Sequence, residues 1–221
     1  LGIAAALLAV VAPAQAWLQV QPPVHPVTLS GHRMVFDAAR DTTVLFGGYA
    51  AGIRNDTWTW NGSDWALQHP IAAPGERYDA GMVYDSARQR VVLFGGMGIG
   101  HSLSDTWEWD GSNWLQMTPL YKPRARSAFG MAYDAARAKT VLFSGSGPDL
   151  DDTWSWDGTN WTLLLSHHWP ESRAGAQMVY DQARACCVLF GGRGSWNLFG
   201  DTWTWDGVDW VQQSIAYAPS P

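Results

Sequence analysis

The segment DTWTWNGSDW, residues 56–65, returns as DTWEWDGSNW at 105–114, DTWSWDGTNW at 152–161 and DTWTWDGVDW at 201–210. Two further markers keep the same rhythm. MVFD at 34–37 returns as MVYD at 82–85, MAYD at 131–134 and MVYD at 178–181. LFGG at 45–48 returns at 93–96, as LFSG at 142–145, and again at 189–192. The steps of these two markers are 48, 49 and 47 residues, and those of Asp-Thr-Trp are 49, 47 and 49. The offset places all length variation between the glycine pair and Asp-Thr-Trp. A fixed period near fifty residues is the signature of a repeat architecture.

Each unit holds four short β-like runs, here called strands a to d. Strand a ends in Met-Val-Tyr-Asp, strand b is Val-Leu-Phe-Gly-Gly, strand c is Thr-Trp-x-Trp, and strand d opens on Trp. β-branched and aromatic residues dominate them, and turn residues separate them. The a–b connection is Asp-x-x-Arg, as at 85–88, a tight turn able to hold a local ion pair. The c–d connection is Asn61-Gly62, Asp110-Gly111, Asp157-Gly158 or Asp206-Gly207, which supplies the positive φ of a short hairpin. Four antiparallel strands per unit, repeated, describe the blades of an all-β propeller. The units are expected at 26–73, 74–122, 123–169 and 170–218.

At these residues the chain resembles the kelch family of β-propellers, the fold of the galactose oxidase central domain. The likeness rests on the double glycine ending strand b, the aromatics at fixed distances after it, and an Arg opening strand a at Arg77, Arg126 and Arg173. It covers 17–221. The first unit departs with Leu29 in the Arg slot, and the third with Ser144 for the first glycine. WD40 repeats are the nearest rival, but the period is too long and their Gly-His pair is missing. Asp boxes of the sialidase type need an Asp-x-Gly spacing that Asp-Gly does not meet. The resemblance implies a kelch-type propeller of five to seven blades, of which this chain supplies four.

The tryptophans read as scaffold. Trp58 and Trp60 are two apart on strand c and share a sheet face, while Thr57 and Thr59 take the other. Trp65 opens strand d across the hairpin, and the trio recurs in every unit. Blades pack face to face, so broad aromatic side chains at fixed slots fill the wedge between neighbours. Each buries roughly 150–250 Å², which is worth on the order of 4–6 kcal/mol as an upper estimate. Trp17 fits the same strand-d slot; Trp169 and Trp196 fit none.

A chain of 221 residues, 47% hydrophobic and 15% charged, suits a packed globular protein. Its net charge of −6 and lack of a Lys/Arg run exclude nucleic acid and anionic membrane surfaces as natural partners. Two adjacent cysteines, Cys186 and Cys187, are no disulfide framework. They stand on strand b, where neighbours point to opposite faces, so two thiols or an oxidised form other than a vicinal disulfide are expected. Residues 1–16, LGIAAALLAVVAPAQA, read as the core and cleavage site of a secretory signal peptide. The mature chain would start at Trp17, outside the cell or in a periplasm, with no membrane span left.

Strand alternation places the a–b and c–d turns on one face of the disc, with the b–c and d–a loops on the other. The variable b–c loops are 49–55, 97–104, 146–151 and 193–200. Variable loops on a rigid frame are where binding residues concentrate. The candidates are Tyr49, Arg54, His101, Tyr121, Trp169, Arg193, Trp196 and Phe199, with His167 and His168 beside them. Two alternatives stay open for the tryptophans: Trp169 tucks under a proline-rich loop, and Trp196 caps its own blade.

No catalytic set, metal set or cofactor loop is discernible. The 6 histidines lack ligand spacing. Kelch-type copper oxidases would imply a Tyr/His/Cys cluster that this sequence does not offer. Asp149, Asp151 and Asp152 could hold Ca²⁺ only by borrowing the Asp of every Asp-Thr-Trp. The leading expectation is an exported, non-enzymatic scaffold binding a protein or a glycan through its loop face. The alternatives are a sugar-active propeller enzyme, of the sialic-acid epimerase or oxidase kind, and a structural domain of a larger surface protein. The enzyme would need Arg77, Arg126 and Arg173 open to the channel with Glu76 or Glu171. WLQV at 17–20 reads as an orphan strand d (17–25), and the next strand-a Arg would fall at 222. A further partial blade past 221 is therefore expected to close the ring.

Overall fold

A computed structural model describes residues 19–147 and 150–214. These form four antiparallel four-stranded sheets with no helix among the described residues. The first sheet holds β1 (Arg33–Asp37), β2 (Thr42–Tyr49), β3 (Ile53–Trp60) and β4 (Trp65–Gln68). The second holds β5 (Gly81–Asp85), β6 (Arg90–Phe94), β7 (Thr106–Trp109) and β8 (Trp114–Met117). The third holds β9 (Gly130–Asp134), β10 (Lys139–Phe143), β11 (Thr153–Trp156) and β12 (Trp161–Leu164). The fourth holds β13 (Gln177–Asp181), β14 (Cys186–Phe190), β15 (Thr202–Trp205) and β16 (Trp210–Gln213). Every sheet is an up-and-down meander in chain order, an arrangement consistent with a propeller-like fold.

The turns explain the register. Asp85 pairs across to Arg90, and Gln89 takes a φ of 55° to close the a–b turn. The Asp-x-x-Arg ion pair is made in all four turns, as Asp37–Arg40, Asp85–Arg88, Asp134–Arg137 and Asp181–Arg184. In the c–d turn the Asp110 carboxylate accepts from the Ser112 and Asn113 amides, and Gly111 sits at a φ of 103°. That positive φ is what glycine supplies there.

The sheets pack through three apolar clusters, one per interface. One construction repeats in each. A strand-d Trp inserts between the Phe and Thr of the preceding sheet: Trp114 onto Phe46, Trp161 onto Phe94, Trp210 onto Phe143, with centroids 5.0–5.2 Å apart. Its indole N–H donates 2.9 Å bonds to Thr57, Thr106 and Thr153 in turn. The strand-a Tyr hydroxyl accepts an amide from the preceding a–b turn: Tyr84 from Ala39, Tyr133 from Ala87, Tyr180 from Ala136. The second glycine of the first three pairs donates to the next Arg carbonyl, Gly48 to Arg77, Gly96 to Arg126 and Gly145 to Arg173. That approach leaves no room at the first glycine, where a Cβ on Gly47 would lie 2.5 Å from the Arg77 oxygen.

Ser144 keeps the left-handed φ at 62° without being glycine. Its hydroxyl donates to the Arg173 carbonyl and accepts from the Arg173 amide. The corresponding amides of Arg77 and Arg126 reach the carbonyls of Arg54, at the start of β3, and Leu103, in the second b–c loop. In this unit the serine hydroxyl takes the place of that carbonyl.

Two expectations change. The first b–c loop is only 50–52, because β2 and β3 run on past a bulge and pair Gly48 with Arg54 and Tyr49 with Ile53. For the orphan strand d, residues 17 and 18 lie outside the described residues, and 19–25 carry no strand. That segment holds Pro22 and Pro23, which lack the N–H a ladder needs.

Candidate functional site

The recurrent arginines are structural. Arg77, Arg126 and Arg173 are fully buried, and each grips the Asp of its own Asp-Thr-Trp with both terminal nitrogens. Each also donates to the carbonyl of the first position of the glycine pair, Gly95, Ser144 or Gly191. The same carboxylates accept the indole N–H of Trp107, Trp154 and Trp203. Burial pushes the Asp105, Asp152 and Asp201 carboxyls up, but the paired guanidinium outweighs it and holds each below the usual range. These arginines are committed before any ligand arrives.

The fourth b–c loop is the best-built exposed feature. Arg193 bridges to Ala174 on one side and to Leu198 on the other. The Gly194 amide donates to the Asn197 carbonyl, and the Phe199 amide to Gly192. Trp196 therefore rides the tip of a pinned turn at 98% exposure, so it does not cap its blade. Leu198 beside it is also exposed. Phe199 lies beneath: its half-buried ring sits 3.8 Å under the Arg173 guanidinium as a cation–π partner. Phe199 is thus a support for the loop, not an open contact.

Two hollows flank the loop. One, of about 160 Å³, lies between the third and fourth b–c loops and is lined by Ser146, Ser172, Arg173, Arg193 and Ser195. The other, of about 370 Å³, runs along the outer side of the fourth sheet past Phe190, Arg193, Leu198 and Phe199. Together they set an exposed guanidinium, an indole and serine hydroxyls around one loop, a combination that stacks on flat rings and donates to oxygens. Sequence reasoning missed Leu198 and the three serines; the only signal for them was their place in variable loops.

The other candidates lie apart from this loop. Tyr49 and Arg54 sit at strand ends in the first sheet, Tyr49 edge-on to Tyr78 at 6.1 Å and Arg54 3.9 Å from Asp56. His101 is exposed, its Nδ1 3.0 Å from the Ile99 carbonyl. Trp169 is 51% exposed and lines a groove of about 250 Å³ with Asp151, Leu163 and Leu165.

Tyr121 is displaced from the expected face. The middle of each d–a loop reaches the c–d turn of the next unit, because loop amides there need acceptors. Ile71 donates to Asn113, Leu120 to Asn160, and both His167 and His168 to Asp209. Tyr121 follows Leu120, and its own carbonyl accepts from Trp161 N–H, which sets it beside the third hairpin. His168 further engages Asp209 through its ring at 2.8 Å. These bonds hold the Asp209 carboxyl down at about 2.

Asp149 lies outside the described residues, and Asp152 is occupied by Arg126. Among the described residues no group of three or more His, Cys, Asp or Glu is placed to hold a metal ion. Cys186 and Cys187 are free thiols buried on β14, and burial pushes Cys187 up to about 12. No protein-family model matches the chain, and no curated protein matches it.

Proposed function

We propose that this chain is part of an exported, non-enzymatic binding scaffold, a kelch-type propeller that takes a protein or glycan ligand through its fourth b–c loop. The observation that carries the reading is Trp196, held fully in water by a turn whose backbone is pinned on both sides. A rigid frame that presents a large aromatic loses little entropy when a ligand ring stacks on it. Arg193, exposed at the base of the loop, supplies donors for ligand oxygens. A sugar-active enzyme draws no support from Arg77, Arg126 and Arg173, which are saturated by aspartates and carbonyls.

Further blades belong to this reading. Met34 is 48% exposed where Met82 is 8%, and Val179 is 63% exposed where Val83 is 8%. The first sheet thus shows the side that carries a Trp trio, and the fourth shows the side that receives one. Additional blades of the same pattern fit both.

The test is binding of the intact protein to a glycan array and to candidate surface proteins, with Trp196→Ala beside it. The expected result is a loss of at least about tenfold for the variant, as for a stacked anchor. Binding unchanged by that substitution overturns the loop assignment.

A further inference from the structure

The second and third interfaces differ in one buried group. At the second, Glu108 of β7 faces the third sheet. Its Oε1 accepts from Arg88 Nη1 at 2.6 Å and from the Trp156 indole N–H at 2.9 Å. At the third, Ser155 of β11 holds the place of Glu108 in the repeat, Arg137 that of Arg88, and Trp205 that of Trp156. Arg137 lies over Gly207 just as Arg88 lies over Gly158. Where the carboxylate stood there is a cavity of about 230 Å³, lined by Arg137, Lys139, Val141, Ser155, Leu164 and Trp205 together with Gly207 and Asp134, whose carboxylate is paired with Arg137.

Two features mark this cavity as unfilled. Ser155 is 2% exposed, and its hydroxyl has no hydrogen-bond partner among the described residues. In the first and fourth sheets the corresponding hydroxyls, Thr59 and Thr204, are met by Gln68 and Gln213. The third sheet has Leu164 at the glutamine position, so it supplies neither the glutamine nor the glutamate. Charge gives the same answer. Asp85, Arg88, Arg90 and Glu108 stand at the second interface, whereas Asp134, Arg137 and Lys139 at the third lack one carboxylate by comparison, Asp206 near Arg137 standing where Asp157 does one sheet earlier. The hairpin aspartates near them, Asp110 beside Arg90 and Asp157 beside Lys139, recur equally and do not change the difference.

We propose that this cavity is a binding site for a small free monocarboxylate, whose carboxylate takes the place that Glu108 fills one interface earlier. The carboxylate accepts from Arg137, from the Trp205 indole N–H and from the Ser155 hydroxyl. Val141 and Leu164 form an apolar wall for a short hydrocarbon or single-ring body. The site is distinct from the fourth b–c loop and independent of its function: it lies between the third and fourth sheets, lined by strand residues of β10, β11, β12 and β15 with Arg137 of the a–b turn and Gly207 of the c–d hairpin.

The test is titration of the intact protein with sodium acetate, propionate and benzoate, reading the Trp205 indole N–H resonance, with sodium chloride at matched ionic strength. The expected result is a saturable shift with the carboxylates, strongest for the one with an apolar body, and none with chloride. Two substitutions copied from the neighbouring sheets fill the cavity from within. Ser155→Glu restores the second-sheet pattern, and Leu164→Gln restores that of the first and fourth. Each is expected to weaken binding at least about tenfold, and Ser155→Glu to move the indole resonance to its ligand-bound position without ligand. Should one variant fail to fold, the other carries the test. No saturable shift, an equal shift with chloride, or full binding in a folded cavity-filled variant overturns the proposal; a cavity holding water alone gives the first of these.

Discussion

The Trp trio of the first sheet and that of the third are written in nearly the same letters, yet only one is a core. Trp156 and Trp161 are completely covered, locked against Phe94 and bonded to Glu108 and Thr106 of the sheet before them. Trp58, Trp60 and Trp65 keep the same internal stack, with Trp60 and Trp65 at 5.5 Å, but are only half-buried. The refrain therefore encodes half an interface. The other half is the Val, Phe and Thr pattern on the trailing face of the preceding sheet, and a trio without it stays wet.

That contrast can be broken at its strongest point. Trp161→Ala removes a buried indole, leaves a cavity and strips Thr106 of its donor, and is expected to cost about 4 kcal/mol. Trp65→Ala, at the same place in the repeat, should cost only about 1 kcal/mol, since far less surface leaves water there. Urea unfolding of the two variants gives the comparison directly. Equal losses would show that the first sheet's open side is covered in solution.

The ion pairs give the second contrast. Asp152→Ala leaves the fully buried Arg126 without a counter-charge and is expected to cost about 3–4 kcal/mol. Asp56→Ala removes the corresponding carboxylate of the first unit, where Leu29 replaces the arginine and, among the described residues, Arg54 alone pairs with it at 3.9 Å; less than about 0.5 kcal/mol is expected. The pH dependence follows from direction. Asp105, Asp152 and Asp201 are held below their unfolded value, so their contribution is full above about pH 4 and is lost as pH falls through the folded values. A stability profile measured from pH 5 downward should fall less steeply in Asp152→Ala than in the parent.

These contrasts also show what a single unit can say. Alternation, Asp-Gly turns and a strict period make sixteen strands legible, because each depends on residues within a few positions. The role of the arginines was less legible, since Arg126 and Asp152 meet across 26 residues and only packing shows the guanidinium closed off. The path of the d–a loops was not legible at all. Their amides find acceptors on the next unit's hairpin, Asn113, Asn160 or Asp209, and this carries Tyr121 away from the face assigned to it. Trp196 stands out in the sequence because it breaks the repeat, whereas Phe199 reads as equally free there and is a prop under Arg173. The Ser155 cavity hides for the opposite reason: a serine on a strand is unremarkable until Glu108 is seen filling the same space.

The smallest contrast is one hydroxyl. Tyr84, Tyr133 and Tyr180 each accept an amide from the a–b turn of the sheet before. The first unit has Phe36 there, exposed to solvent. Tyr84→Phe leaves the Ala39 amide to Asp37 alone, so a loss of about 0.5–1 kcal/mol is expected. Phe36→Tyr should change nothing measurable while its side of the sheet faces water, because water already satisfies a new hydroxyl. If another blade packs on that side and offers the amide of its own a–b turn, the same substitution becomes stabilising by a similar amount. Thermal unfolding of Phe36→Tyr, in this chain and in a chain extended by further repeats, therefore reads whether the first sheet has found the partner that its tryptophans are shaped to receive.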